Sequence, residues 1–224
     1  MSDTRVTMQK EGDITVVTLD DGKANVFATP MAQQLQTCFD SIDKETGAVI
    51  VTGRPKFFSA GFDLKTIQSG DAEAANLMRQ TTVNMAMDIF SFPRPVIAAS
   101  SGHAMAMGLL FMLTMDYRIG IRGPFKIGLN EVRDGMALPP FAMELARFRL
   151  KREAFIPSVL HSKMYEADGA VEAGYLDEAV AVEALMDTAM ERAHELAQLP
   201  NPMYHTSKVN AVGAVRDMIL KSME

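Results

Sequence analysis

The sequence predicts an α/β fold that passes into an α-helical C-terminal region. Two observations carry this. Short continuous apolar runs, which suit buried strands, alternate with helix-period segments as far as about residue 140, and only helical patterns follow Pro139. A third observation agrees: with 48% hydrophobic and 22% charged residues, a chain of 224 can bury a core without disulfides or a structural metal.

The elements follow in order. Val6 and Met8, then Ile14, Val16 and Leu19, flank Gly12-Asp13 and read as a hairpin. Thr29-Pro30 pairs an N-cap residue with a proline at the first helical position. The helix then runs to about Lys44, with Met31, Leu35, Phe39 and Ile42 on one face. Residues 48–51 form a buried strand, followed by the turn Gly53-Arg54-Pro55 and the segment FFSAGFDLK. Residues 71–90 form a helix that stops ahead of Pro93 and Pro95. A second buried strand at 96–99 leads through Ser100-Ser101-Gly102 into an apolar run from Met105 to Met115. Strands are expected at 117–121 and 125–129, and helices at about 140–148, 151–162, 166–173 and 183–198. The division is a core at 1–140 and a helical region at 141–224, with no linker composition between them.

Composition narrows the function. A formal net charge of −6 argues against a nucleic-acid surface as the main business, though not against a local basic patch for a phosphorylated ligand. The single cysteine, Cys38, cannot form an intramolecular disulfide and suits a reducing compartment. The apolar run at 105–115 is about half of a membrane span, so no membrane partner is expected. The N-terminal stretch MSDTRVTMQKEGD lacks the basic and apolar blocks of a signal peptide, which makes a cytoplasmic location the expectation. The 18 methionines read first as adaptable core packing.

Three loops couple small residues to the end of a buried strand. In Phe58-Ser59-Ala60-Gly61-Phe62-Asp63-Leu64, backbone N–H groups can approach a ligand; a tight turn entering a helix fits equally well. Gly102-His103-Ala104-Met105-Ala106-Met107-Gly108 opens an apolar helix, whose first amides can stabilise an oxyanion or simply start a buried helix. Ile127-Gly128-Leu129-Asn130-Glu131 puts a carboxylate at the end of an apolar strand. There it is either desolvated into an acid/base range or solvated just past the strand.

Together, in this order and spacing, these segments resemble the crotonase (enoyl-CoA hydratase/isomerase) superfamily from about residue 5 to 180. KFFSAGFDLK is similar to the first oxyanion-hole loop, and SSGHAMAMGLLFMLTMDYRIG to the second. FKIGLNEVRDGMALPPF is similar to the segment with the catalytic carboxylate, and EADGAVEAGYLDEAV to the later helix-turn. The resemblance implies a spiral of ββα units with a shortened C-terminal helical region. It implies a homotrimer or dimer of trimers, an acyl-CoA substrate, and neither metal nor cofactor beyond that CoA. It makes Glu131 the catalytic acid/base and the amides of Phe62 and Met107 the oxyanion hole. It also puts CoA contacts near Ala24, Ala60 and Leu64, and gives Asp63 a structural role.

Leu110, preceded by Leu109, occupies the place of the first hydratase glutamate. Hydration in the family shares its proton transfers between two carboxylates, whereas moving a double bond needs one. Losing a general acid/base typically costs about 10²–10⁴-fold, so the pattern favours the single-glutamate Δ3,Δ2-enoyl-CoA isomerases. The alternatives are a hydratase or other lyase using Glu131 alone or with Asp134, and a catalytically weak CoA-binding subunit. Met107 stands where glycine is usual, and Ser101 where asparagine is common. An end at Glu224 leaves two expectations for the missing family helices: weaker CoA affinity, or a neighbouring subunit that does the covering.

Leu109, Leu110, Met105 and Met107 suggest an acyl pocket without a positioned polar group, and hence a plain aliphatic acyl chain. The histidines lack metal-ligand spacing, and Cys38 is far in sequence from any base. Arg54, Lys56 and Lys65 are either solvated charges or contacts for CoA phosphates.

Overall fold

The computed structural model describes residues 4–223. Residues 1–3, which open the stretch read for targeting signals, and Glu224 lie outside the described residues. β1 (Val6–Glu11) and β2 (Ile14–Leu19) pair antiparallel, Val6 opposite Leu19, as the hairpin reading required. After β3 (Val26–Phe27), α1 spans Thr29–Ser41. Ala28, not Thr29, holds the cap position, and no side chain caps it. The helix ends before Lys44 because Asp43 captures the Glu45 amide (2.7 Å) and the Thr46 hydroxyl (2.8 Å) in a competing turn.

The chain continues through β4 (Ala48–Gly53), β5 (Lys56–Ser59) and β6 (Gly61–Phe62) to α2 (Leu64–Gln68) and α3 (Ala72–Phe90). Then come β7 (Val96–Ser100), β8 (Gly102–Met105), α4 (Met107–Leu113), β9 (Tyr117–Ile121) and β10 (Ile127–Gly128). The strand expected at 125–129 is only β10, because the Lys126 amide donates to His103 Nδ1 rather than to a neighbouring strand. α5 (Pro140–Arg149), α6 (Arg152–Val159) and α7 (Ala167–Ala173) precede β11 (Glu178–Val180). A 3₁₀ turn at Val182–Ala184 leads into α8 (Leu185–Ala197), and α9 (Asn201–Lys221) ends the described chain.

The main sheet has the order β1-β2-β4-β7-β9-β11, parallel except at β1. β4 and β7 are almost wholly buried, as continuous apolar runs predict for parallel strands covered on both faces. Alternation divides them. Val49 and Val51 join the larger core with α1, α3, α4, α5 and α9, while Ala48 and Ile50 turn to the other face, covered by Leu185, Ala189 and Ala193 of α8.

The C-terminal region is therefore not helices alone. β11 extends the sheet beside β9, locked by Arg118, whose guanidinium meets both Asp177 carboxylate oxygens (2.8 and 2.9 Å). At three residues it is too short to stand out in the sequence. α9 also escaped the sequence reading, because its inner face carries a lysine. Lys208 is 6% exposed, and its ammonium donates to Asp116 at 2.6 Å.

Candidate active site

A small sheet, ordered β10-β8-β5 and parallel throughout, sets the geometry. Parallel strands send the loops after them off the same end. β5 thus delivers Ala60-Gly61-Phe62, β8 delivers Ala106-Met107, and β10 delivers the turn bearing Glu131, all to one place.

The first loop is held by buried polar groups. Asn25, fully buried, donates to the carbonyls of Leu19 (2.9 Å) and Phe58 (3.2 Å). The Ser59 hydroxyl donates to Asn25 O at 2.6 Å and accepts from Gly61 N–H at 3.2 Å. Gly61 has φ +101°, and a Cβ there would come within 2.9 Å of Ala106 Cβ and 3.2 Å of Met107 N. Only glycine lets the two loops close this tightly. On the second loop, a Cβ on Gly108 would fall 2.5 Å from Ser59 O, so the start of α4 packs directly on the first loop.

The first bond within α4 runs from Leu110 N–H to Ala106 O at 3.0 Å. The amides of Met107, Gly108 and Leu109 thus have no partner inside the helix and sit at its positive end. Ala106, which turns the chain into this helix, has φ +48°. The third loop is tied to the second by Ala106 N–H donating to Gly128 O (3.2 Å). It is tied to the chain beyond α6 by Arg133, which bonds Ser162 through its amide (3.0 Å) and its guanidinium (2.7 Å).

Glu131 is 9% exposed, and its Oε2 is buried without a hydrogen-bond partner. Burial pushes its carboxyl above the usual range, hydrogen bonding to its own backbone opposes this, and the Asp134 charge raises it further. Such a carboxylate, with one oxygen unpartnered in an apolar wall, is suited to take and return protons. It lines a cavity of about 300 Å³ together with Phe62, Met107 and Leu110.

Four of the residues singled out from sequence therefore meet in one cavity. Leu109 does not: it is fully buried in the larger core and absent from the cavity wall, because one step along α4 turns it away. Met105 is absent too. Ala24 lines a separate, shallower depression with Lys23 and Lys65, and its carbonyl accepts the Ala60 amide at 2.9 Å. Leu64 is exposed on α2. Asp63 caps α2 through Thr66 N–H (3.3 Å) and the Thr66 hydroxyl (2.8 Å), a structural role. Asp134 is exposed, engaged by the Asn130 amide, and not part of the cavity wall. Arg54 pairs with Asp20 at 3.1 Å. Among the described residues, no three potential ligands group to hold a metal ion.

Sequence reading missed the rest of the wall. Met136, Ala137, Pro139 and Phe141 follow Glu131, and Ile67, Ala75, Met78 and Arg79 come from α2 and α3. Spacing placed Ala75, Met78 and Arg79 on one helix but could not tell which side faced a ligand. Tyr175 was missed as well. It is fully buried, packs on the Tyr165 ring at 5.6 Å, and its hydroxyl makes no well-formed hydrogen bond.

The sequence model described as enoyl-CoA hydratase/isomerase matches residues 9–223. The chain belongs to the enoyl-CoA hydratase/isomerase family. It is 30% identical over 182 residues to Arabidopsis thaliana "Enoyl-CoA delta isomerase 2, peroxisomal", covering 77% of this chain and 76% of that one. It is 31% identical over 191 residues to "Carnitinyl-CoA dehydratase" of Citrobacter koseri, covering 84% and 72%. A solved enoyl-CoA hydratase/isomerase family structure from Pseudomonas syringae superposes with a TM-score of 0.95 at 35% identity, covering 98% of this chain and 95% of that one. The crotonase fold implied by the sequence is thus the fold observed. Relatives in this enoyl-CoA hydratase/isomerase family carry both isomerase and lyase names at about the same identity.

Proposed function

We propose that the protein is an enoyl-CoA isomerase that moves a 3-enoyl double bond to the 2-position. The observation that carries this reading is that, among the described residues, Glu131 is the sole carboxylate in the cavity wall, with Leu110 in the same wall. Glu131 takes a proton from C2 of the 3-enoyl thioester. The electrons shift into a dienolate whose oxygen lies against the amides of Phe62 and Met107, and Glu131 returns the proton at C4. No water is consumed, so a second carboxylate has nothing to do. CoA would follow the backbone near Ala24, Ala60 and Leu64, with Lys23 and Lys65 beside it for the phosphates. The working assembly is a homotrimer or dimer of trimers, read by sedimentation.

The test offers the protein a 3-enoyl-CoA and a 2-enoyl-CoA in D₂O. Isomerisation with the C2 hydrogen carried to C4 except where Glu131 exchanges with solvent, lost on Glu131→Gln by about 10²-fold or more, is expected. Hydration of the 2-enoyl-CoA at rates matching or exceeding isomerisation would reverse the assignment.

A further inference from the structure

Among the described residues, Arg79 is the one basic residue in the cavity wall and Glu131 the one acidic residue. Helical spacing puts Arg79 one turn beyond Ala75 and next to Met78, which also line the cavity. Its neighbours one turn away are Ala75, Asn76, Thr82 and Val83, so no acid on α3 can reach it. Among the described residues it forms neither an ion pair nor a hydrogen bond, while Arg54, Arg118, Arg122, Arg192 and Arg216 each meet a carboxylate. Arg79 is itself exposed, so its guanidinium stands on the solvent side of the cavity wall. The same wall carries apolar side chains from Ile67, Met78, Met136 and Phe141.

An acyl chain whose thioester is held by Phe62 and Met107 would therefore run along apolar walls toward an uncompensated cation. A terminal methyl gains nothing there. A carboxylate gains a charge-assisted, two-pronged hydrogen bond. We infer that Arg79 selects acyl-CoA substrates carrying an anionic group at the far end of the acyl chain, such as the mono-CoA thioesters of unsaturated dicarboxylic acids. This rests on the proposed acyl-CoA reaction for its kinetic test, and it replaces the plain aliphatic chain expected from the sequence.

The experiment compares 3-hexenoyl-CoA with the CoA monothioester of 3-hexenedioic acid, taking the ratio of their kcat/KM values in each protein. The wild type should favour the carboxylated substrate. In Arg79→Met that ratio should fall by about 10- to 100-fold, the size of a charge-assisted hydrogen bond, and Arg79→Lys should restore part of it. An equal loss with both substrates would assign the guanidinium to the CoA phosphates or to the fold. An unchanged ratio would remove it from recognition altogether; either result overturns the inference. If the wild type isomerises neither substrate, calorimetric binding of hexanoyl-CoA and adipoyl-CoA still reads the same preference. Tighter adipoyl-CoA binding that Arg79→Met abolishes would uphold the inference while the isomerase reading fails, and equal affinities would overturn it.

Discussion

Leu110 and Glu131 line one cavity from two different elements, α4 and the turn after β10, and both are nearly inaccessible to solvent. A carboxylate at position 110 would restore a second proton-transfer group. Leu110→Glu should therefore raise hydration of a 2-enoyl-CoA by at least about tenfold over the wild type, read by loss of enoyl absorbance. A buried charge there also costs stability, so the melting temperature should fall; a variant with unchanged hydration would remove Leu110 as the determinant.

The pH dependence has a definite sign. Glu131 must be ionised to accept a proton, and burial holds its carboxyl above the usual carboxylate range. Activity should thus rise with pH along a limb lying above the ordinary carboxylate range. Asp134 raises Glu131 further, so Asp134→Asn should move that limb to lower pH. An upward shift would contradict the electrostatics.

The same group should weaken the fold. Its folded-state proton affinity exceeds the unfolded one, so stability is greatest below the unfolded value and falls as pH rises through the folded one. Glu131→Gln should flatten this decline and gain about 1 kcal/mol at neutral pH, since an unpartnered buried charge is removed. Urea unfolding of the two proteins at pH 5 and 8 reads both effects.

Gly61→Ala should cost about 1–3 kcal/mol, because φ +101° is strained for alanine and the new Cβ meets Ala106. If the amides of Phe62 and Met107 hold the enolate, kcat should fall by about 10²-fold or more as they are pushed apart. A stable, fully active variant would count against the oxyanion assignment.

Lys208→Met should be among the more damaging changes outside the cavity, costing about 3 kcal/mol by leaving Asp116 without its cation, with only hydrogen bonds such as that from Val96 N–H remaining. Replacing both, as Asp116→Asn with Lys208→Met, should cost less than the two single changes summed. Chemical denaturation of the cycle measures the coupling.

What was legible in the sequence was periodic or punctuated. The apolar runs of β4 and β7, the proline-bounded end of α3, and the small-residue loops near Phe62 and Met107 all announce themselves locally. What escaped depends on partners distant in the chain. α9 hides its register because Lys208 faces inward to Asp116, 92 positions earlier, and β11 is a strand only because β9 lies beside it. Leu109 and Leu110 are indistinguishable in composition; only the direction of α4 decides that Leu110 meets the cavity and Leu109 does not. Arg79 was not singled out at all, since nothing local says which way α3 turns it.

One consequence follows from the three-stranded strip β10-β8-β5. β8 is the shared middle rail: it pairs with β5 through Ala104 and with β10 through Ala104 and Met105. The proton carrier and the two candidate enolate-binding amides thus lie on the segments that leave the three strands of one strip. For chemistry in which a misplacement of about 1 Å can cost 10²-fold, that shared mounting sets the spacing of carboxylate and amides.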